Sequence, residues 1–371
     1  MRLFLQRCAG QVDLEAHSEQ VFGEARFINR CIFFRTTARP FFRVVVMSVN
    51  VVYIMGYGHS GSTMLDILLS NHPNIEGVGE LKNLHRAGWT PDETRVCACG
   101  ARIHRCPYWC EVRRQWANIV GDDDVGRYIY LQNRYEGFHH CWPRLVSDSR
   151  KQFPVFMEYA RKTSALYEAI ARVSRKSVVV DSSKDPMRAY ALLKNGGLGI
   201  SLIHLVRDGR GVVWSMMKPR ERDVTAGIPR GRLPHPAWRT TVGWIVANLE
   251  SEWVLSQADA QGVLRIRYEE LVGKPEKILV RLGNLLDEDF TPLSEKVTSG
   301  HQMNIGHTVS GNRLRVSSSV RLRPDLEWME KLPVRAQKMF WCLAGWLAKR
   351  YGYGWGRQLR QTCNCGPATT T

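Results

Sequence analysis

The chain has 371 residues, 52 Lys and Arg against 35 Asp and Glu, a formal charge of +17, and 44% hydrophobic residues. That hydrophobic share excludes wholesale disorder, and the length suits one large α/β domain with insertions or two domains. The charge points to an anionic partner; because Lys and Arg are spread along the chain rather than gathered in one patch or tail, nucleic acid is not the expected one.

Residues 1–46 show no clear period and are read as an extension outside the main fold, with Met47 as an alternative start. Arg26, Arg30, Arg35, Arg39 and Arg43 interrupt every apolar region there. No stretch approaches the ~20 apolar residues that span a bilayer, so no stable membrane insertion and no secretory leader are expected, and the location is expected to be cytoplasmic. The organised part, 47–355, opens with an apolar strand at 50–55, a glycine loop at 56–63 and a helix over 64–69. Residues 84–173 read as an inserted region. It begins with a cysteine cluster and continues, over 112–173, as helices rich in aromatics and His: Tyr128, Tyr130, Tyr135, Phe138, His139, His140, Trp142 and Tyr159. These residues suit either core packing or the lining of an acceptor pocket. A second strand is predicted at 177–181, followed by Ser182, Ser183, Lys184 and a helix from Pro186 to about 194. A third lies at 199–206, with a helix running through Met217, and a fourth at 263–267, with a helix starting near Pro275. A Pro- and Arg-rich loop over 218–236 follows the third unit. An amphipathic helix is predicted at 333–350 and a polar tail from 356. Strands alternating with helices predict right-handed βαβ units: an α/β three-layer sandwich with a central parallel sheet and a helical insertion.

The segment from Gly56 to Thr63 lies between a strand and a helix, where backbone N–H groups and a helix N-terminus cradle phosphate. Gly56, Gly61 and Thr63 match G-x-x-x-x-G-K-[ST], but position 62 is Ser, not Lys. A nucleotide triphosphatase needs that Lys and a Mg²⁺-holding acid after a second strand; Asp181 is the nearest acid, and it leads into Ser-Ser-Lys. A P-loop kinase-like phosphotransferase is therefore a weaker alternative, and a non-enzymatic nucleic-acid binder weaker still.

Tyr-Gly-His-Ser-Gly-Ser-Thr-Met-Leu, residues 57–65, resembles the 5′-phosphosulfate loop of the sulfotransferases that use 3′-phosphoadenosine 5′-phosphosulfate (PAPS). Arg207 and Ser215 resemble the 3′-phosphate motif of that family, and Arg-Asp-Gly-Arg at 207–210 is similar to its protein-tyrosine branch. Further resemblances follow in order: His72-Pro through Gly79-Glu80, Asp181-Ser-Ser-Lys-Asp-Pro186, Tyr268-Glu-Glu-Leu271, and Ser310-Gly-Asn-Arg313. Together they run from about 50 to 350. The resemblance implies PAPS as co-substrate, bound by Gly58, His59, Ser60, Gly61, Ser62, Thr63, Arg207, Ser215, Tyr268, Asn312, Arg313 and Arg315. It implies Glu80 as base, Lys184 as the catalytic cation and His59 as a supporting catalytic residue, with no catalytic metal. The chemistry agrees: two anionic ends need two anion sites, and the departing phosphate oxygen needs positive charge. His59 departs from the family's Arg or Lys, which leaves less charge at that position near neutral pH. The acceptor is expected to be a small molecule, a glycan or a peptide offering a hydroxyl.

Cys97, Cys99, Cys106 and Cys110 have the spacing C-x-C-x₆-C-x₃-C, with His104 inside. This resembles half a zinc knuckle but departs from the usual C-x₂-C pairs. A structural metal, a disulfide and free thiols all remain open.

Overall fold

The computed structural model of the protein describes residues 49–355 except 91–93, 138–152, 220–230, 232, 313, 315–321 and 323. The 1–46 extension, the tail, most of the 218–236 loop, Phe138, His139, His140, Trp142, Arg313 and Arg315 lie outside the described residues. In chain order the named elements are β1 (Asn50–Met55), α1 (Ser62–Ser70), β2 (Ile75–Gly77), α2 (Pro107–Val120), α3 (Val125–Tyr135), α4 (Phe153–Ser174) and β3 (Val178–Lys184). There follow α5 (Pro186–Asn195), β4 (Gly199–Val206), α6 (Gly209–Met217), α7 (Ala237–Leu255), β5 (Val263–Arg267), α8 (Tyr268–Gly273), α9 (Pro275–Leu286), α10 (Thr291–Thr298), α11 (Trp328–Lys331) and α12 (Val334–Arg350). No helix among the described residues is long and apolar enough to cross a membrane.

The strands form one sheet in the order β2-β3-β1-β4-β5 with every pairing parallel. Both faces of β1 are covered, which is why its sequence is continuously apolar rather than alternating. Val51, Tyr53 and Met55 join one core with residues of α2 to α5, while Val52 and Ile54 join a second with α1, α9 and α10. A third core gathers Val206 of β4 with α6, α7, α11 and α12. Each fully buried aliphatic side chain contributes about 1.5–3 kcal/mol relative to exposure. Chemistry belongs where parallel strands end together at their C-terminal edge.

Most of the described aromatic residues of the inserted region pack as core. Trp89, Trp116 and Tyr128 pack with tilted rings, centroids 4.7–6.0 Å apart, and Tyr135 and Tyr159 are fully buried. Tyr130 alone of the described residues in that aromatic group faces water. β3 runs three residues beyond its expected end at 181. Its polar continuation is held in place: Asp181 accepts hydrogen bonds from Tyr167 (2.6 Å) and from the Ser183 N–H (2.7 Å), and it faces Arg188 at 3.4 Å. Arg188, wholly buried, also reaches Glu136 at 2.7 Å. Tyr268, which follows the fourth strand ahead of the helix expected near Pro275, begins the separate short helix α8.

Candidate functional site

At the end of β1 the chain turns through Gly56–Gly61 into α1. Gly61 caps that helix in a left-handed conformation, φ +93°, and its carbonyl takes the N–H groups of Met64 and Leu65. A Cβ there would sit 2.5 Å from the ring of Tyr268, so only glycine lets α8 close on the loop. His59 (φ +66°) and Lys184 (φ +68°) are two of the four non-glycine residues at positive φ among those described. Such backbone costs on the order of 1–3 kcal/mol and collects at functional sites.

Lys184 owes its position to an irregularity. β1 and β3 pair in register as far as Tyr53 opposite Asp181, then slip so that Met55 faces Lys184. Lys184 Nζ then donates to Glu80 Oε1 at 2.6 Å, to the Ser182 carbonyl at 3.0 Å and to Ser62 Oγ at 3.3 Å. Glu80 follows β2. Its N–H donates to the Ser310 carbonyl (3.0 Å), and its Oε2 accepts from Asn83 (3.0 Å). Burial works against the charge of Glu80, but Lys184, with help from Lys82 and His59, holds the carboxyl below the usual range. Beneath this corner Asp66 is buried and accepts from the Gly79 N–H at 3.0 Å; burial raises it to about 8.

Arg207 leaves the end of β4. Its guanidinium donates to the His59 carbonyl (3.0 Å) and to Asp325 (3.0 Å), and lies over the Tyr268 ring, 4.6 Å from its centroid. Ser215, one turn into α6 beyond Arg210, places Oγ 2.8 Å from His59 Nδ1. On the opposite wall the N–H of Asn312 donates to Thr63 Oγ1 at 3.1 Å. These residues enclose one cleft of about 450 Å³. It is lined by Gly58, His59, Gly61, Ser62, Thr63, Glu80, Lys184, Arg207, Ser215, Tyr268 and Asn312, all expected from the sequence. Ser60 is buried and does not line it, and Arg313 and Arg315 lie outside the described residues.

The profile of the Sulfotransferase family matches residues 52–292, a span that contains this loop, Glu80, Lys184 and Arg207. The chain belongs to the sulfotransferase family. No curated protein sequence matches it. Among solved structures it is similar to the sulfotransferase domain of the Synechococcus PCC 7002 olefin synthase, at 18% identity, TM-score 0.45, 83% of this chain and 96% of that one. It is also similar to the sulfotransferase domain of the curacin biosynthetic pathway (16%, 0.41, 85% and 96%) and to sulfotransferase STF9 from Mycobacterium avium (12%, 0.41, 83% and 78%).

Four residues that line this sulfotransferase cleft, Met64, Gly311, Leu314 and Asp325, were not among the expected site residues. Asp325, the partner of Arg207, follows no motif. Met64 and Gly311 lay inside quoted motifs without being assigned a role, and Leu314 is marked only by its proximity to Asn312. The structure also removes one alternative role. Asp181, the nearest acid to a Mg²⁺-holding position, is fully buried and committed to Tyr167, Ser183 and Arg188.

Proposed function

We propose that this sulfotransferase moves the sulfuryl group of PAPS to a hydroxyl of an acceptor. The observation that carries the reading is the junction of Lys184 with both Ser62 of the glycine loop and Glu80, beside a second cationic site at Arg207. The acceptor oxygen attacks sulfur, the bond from sulfur to the 5′-phosphate oxygen breaks, and the acceptor proton passes to Glu80. 3′-Phosphoadenosine 5′-phosphate (PAP) leaves with the bonding pair, and Lys184 Nζ neutralises the departing oxygen. As Lys184 turns toward that oxygen, Glu80 loses its stabilising cation and becomes a stronger base. The glycine loop and Ser62 take the 5′ end, and Arg207 exchanges Asp325 for the 3′-phosphate, with Ser215 alongside. Tyr268 offers its ring to the adenine.

Calorimetry with PAP tests the donor assignment. One binding site is expected, and Arg207→Ala is expected to weaken it about 10–100-fold, the loss of a charge-assisted hydrogen-bonded contact. Binding of ATP–Mg²⁺ in preference to PAP would support the phosphotransferase reading instead. Transfer of labelled sulfate from PAPS to a panel of phenols, sugars and peptides identifies the acceptor class.

A further inference from the structure

Cys97, Cys99, Cys106 and His307 bring three Sγ atoms and one ring nitrogen within 4.8 Å of one another. Cys99 Sγ stands 3.7 Å from Cys106 Sγ, and His307 Nδ1 stands 3.5 Å from Cys106 Sγ and 3.7 Å from Cys97 Sγ. A tetrahedral zinc with Zn–S of about 2.3 Å and Zn–N of about 2.0 Å sets its ligand atoms about 3.8 Å (S to S) and about 3.5 Å (S to N) apart. These three spacings match such a shell. They are too long for a disulfide, which needs about 2.05 Å. We propose that these four residues bind one structural Zn²⁺ in a Cys₃His site.

The surroundings hold the ligands ready. The 97–101 turn closes with the Cys97 N–H on the Ala101 carbonyl (2.8 Å) and the Gly100 N–H on the Cys97 carbonyl (2.9 Å). Cys106 stands at the N-cap position of α2, and Pro107 begins the helix behind it. The His307 ring stacks on Tyr108, centroids 4.5 Å apart and planes 2° from parallel, and its carbonyl accepts from Trp109 Nε1 at 3.0 Å. Cys110, the fourth cysteine of the sequence cluster, is exposed and bonds instead to the His104 carbonyl. The fourth ligand comes from 201 positions beyond Cys106. Four protein ligands close the shell, which makes the site structural rather than catalytic.

The ion fastens the cysteine turn to the segment that forms one wall of the cleft. Next to His307, the Thr308 carbonyl accepts from the Ala98 N–H and the Val309 N–H donates to Val78. Ser310 then receives the Glu80 N–H, and Asn312 binds Thr63.

The test is metal analysis of the full chain purified without chelator. About one zinc per chain is expected, retained in Cys110→Ser and lost in Cys106→Ser and His307→Ala. A variant that fails to fold would lose zinc for an unrelated reason, so the unaltered chain is also stripped and reloaded with Co²⁺. Absorption from thiolate-to-cobalt charge transfer and tetrahedral d–d bands is expected, and Zn²⁺ should displace it. Absence of both stoichiometric zinc and that cobalt spectrum overturns the proposal, as does full zinc retention in a folded His307→Ala chain or zinc loss in a folded Cys110→Ser chain.

Discussion

Lys184 and Glu80 hold each other at 2.6 Å, so a change at either alters the other's charge environment. Glu80→Gln is expected to keep PAP affinity and lower kcat about 10²–10⁴-fold, the usual contribution of a positioned general base. Lys184→Ala is expected to lower kcat about 10²–10³-fold by removing charge from the leaving oxygen. Because the two act as a unit, the double variant should be little worse than the poorer single one. Turnover of labelled PAPS set beside PAP calorimetry checks all three, and an undiminished rate in Glu80→Gln would dismiss the base. Both residues were legible in the sequence because each sits in a short motif near a strand end. Asp325 was not. It meets Arg207 across 118 positions, and an isolated acid carries no local sign of a partner at that distance.

Among the elements, the loop into α1 shows how finely backbone shape is specified. Gly58 and Gly61 look equivalent in the sequence, yet a Cβ at Gly58 meets nothing within 4 Å, while one at Gly61 runs into Tyr268 at φ +93°. Gly58→Ala should leave the melting temperature of the free protein unchanged. Gly61→Ala should lower it, with a stability loss of at least the roughly 1–2 kcal/mol that left-handed backbone costs an L-residue, and should weaken PAP binding by displacing Tyr268. Thermal melts and PAP titrations of the pair decide the matter; equal behaviour would show that Tyr268 does not press on the loop. β3 teaches a related point. The apolar run ends at Asp181, so the sequence predicts a strand end there. The strand continues because Tyr167 and Arg188, brought from α4 and α5, satisfy the buried carboxylate. Pattern reading sees the polar residue but not the partners that make its burial affordable.

For the whole molecule, one buried group contributes an acid dependence of stability. His204 of β4 is fully buried, and Arg265 Nε donates to its Nδ1 at 3.3 Å, so the ring proton lies on Nε2 and points to Asn248 Oδ1 at 2.8 Å. Burial pushes this histidine down to about 3. An unfolded histidine titrates near 6.5, so between the two values the unfolded chain holds the extra proton. The contribution of His204 is therefore complete above about 6.5 and lost as pH falls toward 3, at up to about 1.4 kcal/mol per pH unit. The raised Asp66 acts with the opposite sign over the same range, so the check is the comparison of two chains: thermal melts at pH 7 and pH 5 should show His204→Gln losing less stability on acidification than the unaltered chain, and equal slopes would place the acid sensitivity elsewhere. The +17 charge also has a narrower meaning at this scale. Lys184 and Arg207 now share one cleft, while most of the excess stays distributed over the chain. Strand and helix order, the parallel sheet and most of the cleft's residues were determined by the sequence alone. Those features rest on local periodicity and on motifs whose chemistry is written in consecutive residues. The pairing of Arg207 with Asp325, the burial of Asp181, and the replacement of Cys110 by His307 beside three cysteines were decided only by the tertiary structure. Each joins groups well separated in the chain, and their meeting depends on how whole elements pack, which no local pattern records.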